Sequence, residues 1–146
     1  MTDAVAITNL LYRYGVFMDA GDFDAAAELL ATAEVRLMGG KTLPGSAMRA
    51  IWADMIVLHP GGTPRTQHVI TNPIVDIDAT GMMARCQSCY TVLQQAEGFP
   101  LQIIAAGRYD DRFVKQDGVW RFAFRDYSQF HFQGDLSRHL RGQTGA

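Results

Sequence analysis

The stretch Tyr14–Asp24, YGVFMDAGDFD, joins two predicted helices and contains three aspartates within six positions. Asp22 is expected to cap the second helix, and Asp24 lies in its first turn, where the helix dipole favours negative charge. Asp19 falls in the last turn of the first helix instead, where a negative charge costs about 0.3–1 kcal/mol. Its carboxylate either faces water at a frayed helix end, caps the following amides, or has a partner elsewhere in the fold.

The first helix has the periodicity of an element packed inside a fold. At about 100° per residue, a wide apolar stripe is formed by Ile7, Leu10, Leu11, Tyr14, Phe17 and Met18. A second apolar row lies nearly opposite this stripe, which predicts that the helix packs on more than one side; it consists of Val5, Tyr12 and Val16. Asp19 lies at the edge of the second row, so we expect its side chain to be at least half buried.

Helices precede strands along the chain, which indicates a single α+β domain covering residues 1–146. The three predicted helices run from Asp3, as a cap, to about Ala20; from the Asp22 cap to about Thr32; and from the Ser46 cap to a point before Pro60. A short strand is predicted at 34–38, and four long strands at 65–78, 82–95, 100–115 and 119–132. Pro73 predicts an edge or a bulge in the first long strand. The polar tail, 134–146, is expected to be loosely held.

Composition excludes several classes of protein. Hydrophobic residues make up 48% of the chain and charged residues 19%, as in ordinary globular proteins. The net charge is −2 and no basic stripe is present, so we expect no nucleic-acid partner. No apolar run has membrane-spanning length, and MTDAVAIT lacks the features of a secretory signal, so we expect no membrane partner and a cytoplasmic location.

Few side chains in this sequence suit catalysis. Cys86 and Cys89 lie three positions apart in a strand and should point to opposite faces, which predicts two reduced thiols. No two histidines have metal-ligand spacing, so we expect neither a metal site nor a cofactor. Nucleophile motifs are absent, which leaves carboxylate, imidazole and phenol as the available chemistry. His68 alone of the four histidines lies early in a strand among apolar neighbours, as either a core residue or a catalyst.

The chain resembles the SnoaL-like domains of the nuclear transport factor 2-like superfamily. Four segments carry the resemblance: YRYGVFMDAGDFDAAAELLA at 12–31, RTQHVITNPIVDID at 65–78, AAGRYDDRFVKQDGVWRF at 105–122 and GDLSRHL at 134–140. The superfamily includes scytalone dehydratase, bile acid 7α-dehydratase, ketosteroid isomerase, polyketide cyclases and the small subunits of ring-hydroxylating dioxygenases. The resemblance implies a cone-shaped, curved, mostly antiparallel sheet wrapped around N-terminal helices, with an apolar cavity.

The resemblance also implies roles for three residues. Asp19 and His68 match the acid–base pair of the dehydratases, and Tyr14 matches a tyrosine of bile acid 7α-dehydratase five residues before the aspartate. Tyr14 would then polarise a substrate oxygen. Scytalone dehydratase has its tyrosine where this chain has Met18, and its second strand histidine has no counterpart at 82–95.

These implications lead to one functional hypothesis and two alternatives. The hypothesis is a cofactor-independent lyase or isomerase, dehydratase-like in its acid–base chemistry, acting on a bulky apolar aromatic, steroid or polyketide-like compound. The alternatives are retro-aldol cleavage by the same residues, and a non-catalytic domain for ligand binding or assembly. A homodimer or higher homo-oligomer is expected to form through the outer face of the sheet. The predicted cavity walls are Phe17, Met18, Trp52, Met55, Ile70, Asn72, Trp120, Phe122, Phe124 and Tyr127.

Overall fold

The computed structural model describes residues 1–143 and contains three helices. They are α1 at Asp3–Ala20, α2 at Phe23–Leu29 and α3 at Met48–Met55, the last following a 3-10 turn at Gly45–Ala47. Gly21 ends α1 in the left-handed conformation, with φ 73°, and Asp22 caps α2 by accepting a hydrogen bond from the Ala25 amide at 3.0 Å. The predicted helix junction is confirmed.

The other predicted helix ends need correction. Thr2, not Asp3, caps α1 through its side-chain oxygen, and α2 ends at Leu29 instead of near Thr32. Ser46 lies inside the 3-10 turn and caps nothing with its side chain. The third helix ends at Met55 because Ile56 is extended and forms a β-bridge with Leu140.

Residues 1–143 contain seven strands, β1 Glu34–Arg36, β2 Thr42–Pro44, β3 Thr66–Ile77, β4 Met83–Ala96, β5 Phe99–Gln116, β6 Val119–Asp126 and β7 Phe130–Gln133. They form one sheet in the order β2-β1-β6-β5-β4-β3, with β7 also paired to β5. All these pairs are antiparallel except β1 with β6. The predicted α+β architecture with a curved, mostly antiparallel sheet is therefore present.

The last predicted long strand is two strands, because the chain leaves the sheet after Asp126. The Asp126 carboxylate accepts a hydrogen bond from the Ser128 amide at 2.8 Å and forms a turn there. Beyond this turn β7 pairs with Ala105–Gly107 of β5, while β6 pairs with Asp110–Gln116 farther along the same strand. The long β5 thus has two successive partners on one side.

The C-terminal segment, defined here as 134–143, is not loosely held, contrary to the prediction. The Val57 amide donates to the His139 carbonyl at 2.8 Å, and the Arg141 amide donates to the Met55 carbonyl at 2.8 Å. The Arg141 side chain also donates to the carbonyls of Ala53 and Asp54. These bonds satisfy the C-terminal end of α3, which explains why a polar tail is ordered. The prediction for residues 144–146 lies outside the described residues.

Strand β3 forms an edge of the sheet and contains a bulge, as Pro73 predicted. Its pairing with β4 shifts between Thr71 and Ile74, and Asn72 has φ 54° at the irregularity. The bulge ends the alternation that places Thr66, His68 and Ile70 on the inner face, opposite the inward-facing Gln94, Val92 and Tyr90 of β4.

The core lies between α1 and the inner face of the sheet. The α1 stripe supplies Ile7, Leu11, Tyr14 and Met18, all at most 4% exposed. The second apolar row does not pack inside the chain, because Val5, Tyr12 and Val16 are 47%, 41% and 64% exposed. The prediction of packing on two sides of α1 is therefore wrong for the single chain. No helix within residues 1–143 is long and apolar enough to cross a membrane.

Candidate functional site

Gly15 allows α1 to approach β3 closely at the place where the candidate site forms. A Cβ atom added at Gly15 would lie 3.2 Å from His68 Cβ and 3.3 Å from Ile70 Cδ1. Asp19 follows Gly15 by four positions and therefore lies on the same side of the helix. The missing side chain at Gly15 thus brings the last turn of α1 against the start of β3.

Asp19 receives three hydrogen bonds from β3. Its Oδ1 atom lies 2.5 Å from His68 Nδ1 and accepts a hydrogen bond from the Thr66 hydroxyl at 2.9 Å. Its Oδ2 atom accepts the His68 backbone N–H at 2.7 Å. The side chains of His68 and Asp19 are 9% and 20% exposed. Charge-assisted hydrogen bonds contribute about 1.5–3 kcal/mol each, which outweighs the dipole cost of about 0.3–1 kcal/mol at the helix end.

This network determines how His68 can act. A carboxylate can only accept hydrogen bonds, so a neutral His68 must carry its proton on Nδ1 to bind Asp19. The other ring nitrogen, Nε2, then has a free lone pair and can accept a proton. The negative charge of Asp19 stabilises the ring if it becomes protonated, as in a catalytic base held by a carboxylate.

Tyr14 lies next to His68. Its ring meets the His68 ring edge-on, with centroids 6.1 Å apart and planes at 83°. Its hydroxyl oxygen accepts a hydrogen bond from the Tyr127 hydroxyl at 2.8 Å, which leaves the Tyr14 proton free to bind another acceptor. Burial raises the pKa of Tyr14, while Arg125 acts in the opposite direction. Helix α1 stays regular through Ala20, so Tyr14 and Asp19 reach His68 from different sides of the helix.

A fully buried ion pair, Arg125 with Asp111, lies against the Tyr14 ring. Arg125 donates from Nε and Nη2 to the two carboxylate oxygens of Asp111 at 2.8 and 2.7 Å, and both side chains are 0% exposed. The guanidinium carbon lies 4.4 Å from the ring centroid of Tyr14 and 3.9 Å from that of Tyr109. Burial acts to lower the pKa of Arg125, but the charge and the hydrogen bonds of Asp111, together with Tyr127 and Tyr109, raise that pKa overall. The cation therefore persists inside a cluster of aromatic rings.

An apolar cavity of about 350 Å³ opens between α3 and the sheet. It is lined by Leu37, Met38, Met48, Ile51, Trp52, Met55, Tyr90, Tyr127 and Phe130. Asp19 and His68 are not part of its wall. Tyr14 lies between the cavity and the dyad, because its ring is 6.1 Å from the Trp52 ring and its hydroxyl contacts Tyr127.

The predicted cavity walls divide into three groups. Trp52, Met55 and Tyr127 line the cavity. Phe17, Met18, Ile70 and Phe122 are buried or half-buried parts of the core around it. Asn72, Trp120 and Phe124 lie elsewhere.

The last three residues are corrections, each with a physical reason. Asn72 is exposed at the β3 bulge, where the alternation of faces is lost. Trp120 is buried near the start of α1, and its ring N–H donates to Asp3 at 2.9 Å. Phe124 follows a bulge between the Phe113–Phe122 and Arg112–Phe124 pairs, so it turns to the outer face, between the guanidinium groups of Arg36 and Arg112.

Sequence reasoning missed several residues of the site. Thr66 could have been found, because it lies two positions from His68 on the same strand face. The close approach at Gly15 could have been inferred from its spacing to Asp19. The Arg125–Asp111 pair carried no local signal, because a bulge decides which residues of β6 face inward.

The two thiols lie as predicted, on opposite faces of β4. Both cysteines are free; Cys86 is buried and Cys89 is partly exposed. Burial, with a smaller effect of Asp111, raises the pKa of the Cys86 thiol to about 12. Among residues 1–143, no group of three or more histidine, cysteine, aspartate or glutamate side chains is arranged to hold a metal ion.

Solved structures with related folds come from several bacteria. A protein of unknown function from Mycobacterium tuberculosis is 23% identical, with a TM-score of 0.68 over 91% of this chain and 72% of that one. A candidate scytalone dehydratase from Novosphingobium aromaticivorans is 21% identical, with a TM-score of 0.64 over 86% of each chain. At these identities the likeness concerns the fold.

A dioxygenase component has the same fold. The beta subunit of a candidate aromatic-ring-hydroxylating dioxygenase from Novosphingobium aromaticivorans is 17% identical, with a TM-score of 0.69 over 92% of this chain and 94% of that one. The search of curated proteins found no match. The family model described as "SnoaL-like domain" matches residues 1–126. The chain therefore belongs to the SnoaL-like domain family.

Proposed function

We propose that this protein is a cofactor-independent lyase or isomerase acting on a bulky, largely apolar compound that bears hydroxyl or carbonyl groups. The observation that carries the proposal is the hydrogen bond of 2.5 Å between Asp19 Oδ1 and His68 Nδ1 beside the Tyr14 ring. A carboxylate–imidazole pair of this kind provides a base whose conjugate acid is stabilised.

In the proposed reaction, His68 Nε2 removes a proton from the carbon next to a substrate carbonyl. The electron pair of the broken C–H bond moves to the carbonyl oxygen as an enolate, and Tyr14 donates a hydrogen bond to that oxygen. In dehydration, the carbonyl then re-forms and the enolate electron pair makes a carbon–carbon double bond to the next carbon. The C–O bond on that carbon breaks as the protonated His68 gives its proton to the leaving hydroxyl, and water departs. In isomerisation, it returns the proton to another carbon. Retro-aldol cleavage uses the same groups and is distinguished by its products.

The apolar cavity supports the assignment of substrate class. Its volume of about 350 Å³ and its lining by Trp52, Met55 and Tyr127 suit a fused-ring or similarly bulky compound. Because Tyr14 separates the cavity from His68, the proposal includes a movement of the Tyr14 or Trp52 ring when substrate binds. A crystal structure with a bound ketone tests this movement directly.

Proton exchange tests the proposed chemistry without knowledge of the natural substrate. The bicyclic ketone 2-tetralone, incubated with the protein in D₂O, should acquire deuterium next to its carbonyl faster than in buffer, as followed by NMR. His68→Gln and Asp19→Asn should each lower the catalysed rate by about 100-fold or more. His131→Gln is a matched control, because His131 is exposed on β7 and lies outside the site.

Exchange that is equally fast in wild type and His68→Gln would remove His68 from the reaction. Binding of 2-tetralone without any exchange, measured by calorimetry, would favour the second candidate function, a non-catalytic domain for ligand binding or assembly. One observation favours that candidate: the rings of Trp52, Tyr14 and Tyr127 separate the dyad from the cavity.

A further inference from the structure

Within residues 1–143, four buried side-chain polar atoms lack a hydrogen-bond partner, among them Ser88 Oγ and Arg125 Nη1. The other two are the Nδ1 atom of His139, in the C-terminal segment, and the Oε1 atom of Gln94, on the inner face of β4. Gln94 is 1% exposed. Buried polar groups are nearly always paired in folded proteins, so two unpaired ones in one region indicate a place for a polar group of a ligand.

Gln94 connects the C-terminal segment to the dyad. Its Nε2 atom donates to the Pro64 carbonyl at 2.9 Å and to the Arg138 carbonyl at 3.0 Å, which fixes the side chain and the residue before His139. Gln94 is also the register partner of Thr66 on β3. Since the Thr66 hydroxyl binds Asp19 at 2.9 Å, the two unpaired atoms and the dyad lie near the same end of the β3–β4 pair.

The backbone around His139 is also fixed. Its amide donates to the Leu136 carbonyl at 3.0 Å, and its carbonyl accepts the Val57 amide at 2.8 Å. The Arg138 carbonyl lies 2.8 Å from His59 Nε2 as well. The His139 ring is therefore held by a rigid support, as a binding group must be.

The charge state of His139 limits what it can bind. Burial, with smaller effects of His68 and His59, lowers the pKa of His139 to about 4, and Asp19 acts in the opposite direction. At neutral pH the ring is uncharged and carries one N–H and one lone pair. Gln94 Oε1 only accepts hydrogen bonds. A neutral hydroxyl group, which both donates and accepts, matches this pair, whereas a carboxylate has no proton for Oε1.

We propose that His139 and Gln94 form a subsite that binds a neutral hydroxyl group of the ligand beside Asp19 and His68. The inference rests on the proposed function, because the ligand bound at this subsite is taken to be the substrate of that function. It extends that function by predicting that the ligand carries a second oxygen substituent, a hydroxyl group that the protein binds at this subsite. In this arrangement His139 is a binding residue, and His68 remains the base.

A matched pair of ligands tests the subsite. The compounds 2-naphthol and 2-methylnaphthalene have nearly the same shape and differ by a hydroxyl in place of a methyl group. Wild type should bind 2-naphthol about 10-fold more tightly, the size of one or two net hydrogen bonds. His139→Leu should abolish this preference, and His139→Asn, which keeps a polar atom near the Nδ1 position, should restore part of it. His131→Leu, the same change at an exposed position on β7, should retain the preference.

A direct reading of the ring complements the affinities. In protein labelled with ¹⁵N, the ring nitrogens of His139 should shift when 2-naphthol is added and not when 2-methylnaphthalene is added. An unchanged preference in His139→Leu, a preference lost equally in His131→Leu, unmoved His139 signals, or no binding of either compound would each overturn the subsite.

The subsite and the proposed function can fail separately. If proton exchange depends on His68 but the preference for the hydroxyl compound does not depend on His139, the proposed chemistry is supported and the subsite is wrong. A hydroxyl preference that depends on His139, together with no proton exchange, leaves a binding site in a non-catalytic domain.

Discussion

Asp19 binds His68 through both of its carboxylate oxygens, Oδ1 at 2.5 Å from the ring nitrogen and Oδ2 at 2.7 Å from the backbone nitrogen. One residue of β3 is thus held at two points by the last turn of α1. The backbone bond fixes the strand, and the ring bond fixes the imidazole tautomer. Removing the carboxylate should therefore affect both stability and the base.

The first prediction separates these two effects. Asp19→Asn keeps the shape of the side chain but turns an amide N–H group toward donors of β3 that need an acceptor. The free energy of unfolding should therefore fall by about 1–3 kcal/mol. His68→Gln should cost less stability, because the backbone bond to Oδ2 remains. In proton exchange the double variant should be hardly slower than either single variant, since residues acting as a unit are not additive. Fully additive losses in rate would contradict the dyad.

The second prediction concerns the buried thiol. Because the Cys86 pKa is raised to about 12 by burial, very little thiolate is present at pH 8 and alkylation should be slow. In a Cys89→Ser variant, iodoacetamide should label native protein at least about 100-fold more slowly than protein unfolded in urea. Mass spectrometry measures the extent of labelling. Rapid labelling of the native Cys89→Ser variant would show that Cys86 is accessible.

The third prediction follows from His139. Its pKa is lowered from 6.5 to about 4 by burial, so between these values the unfolded chain binds a proton that the folded chain does not. The free energy of unfolding should therefore fall as the pH falls through this window, by up to about 1.4 kcal/mol per pH unit. Above pH 6.5 the effect is absent, and below about pH 4 it is complete.

Urea unfolding of wild type and His139→Leu between pH 7 and pH 4 measures this contribution. The nearby titratable groups His59, His68 and Asp19 are present in both proteins, so their effects largely cancel in the difference. The variant should lose less stability on acidification than wild type. Parallel curves for the two proteins would show that His139 is readily protonated in the folded state.

The fourth prediction concerns assembly, which we propose to occur through the outer face of the sheet. Leu101, Ile103 and Phe132 are 65%, 58% and 70% exposed on β5 and β7, and apolar groups clustered in this way mark interfaces. Wild type should be a dimer or larger in light scattering at tens of micromolar, and Ile103→Lys should shift it to monomer. Val119→Lys, at the opposite end of β5 and β6, should not. A monomeric wild type would end this proposal.

The sequence predicted the helix junction from local rules, whereas the pairing of Asp19 with His68 followed from the resemblance to SnoaL-like domains. Gly21 and Asp22 end one helix and cap the next through their own conformational preferences. The unfavourable position of Asp19 in the last turn of α1 left a partner elsewhere in the fold as only one of three explanations. Pro73 marked the edge strand and its bulge for a similarly local reason.

Other features depend on contacts between distant parts of the chain. One extra residue in β6 reverses which side chains face inward, so Arg125 replaces Phe124 on the inner face. The C-terminal segment looks polar and loose, yet its backbone completes the end of α3. His139 therefore lies near the dyad, although no spacing in the sequence relates it to His68.

The last prediction concerns the buried pair of Arg125 and Asp111. Each side chain is 0% exposed, so removing one partner leaves a charge without compensation. Asp111→Ala and Arg125→Met should each lower the free energy of unfolding by about 3–5 kcal/mol. The double variant Asp111→Leu with Arg125→Met removes both charges and should lose clearly less than the sum of the two single changes. Urea unfolding measures these differences.

The double variant also separates stability from the role of the cation beside the tyrosines. If it folds but its proton exchange falls, Arg125 acts on the reaction through Tyr14, whose ring centroid lies 4.4 Å from the guanidinium carbon. If exchange is unchanged, the pair is structural only. If a single variant fails to fold, the double variant still tests the prediction. A double variant that is also unfolded would contradict the expected recovery of stability and would show that the fold requires the ion pair.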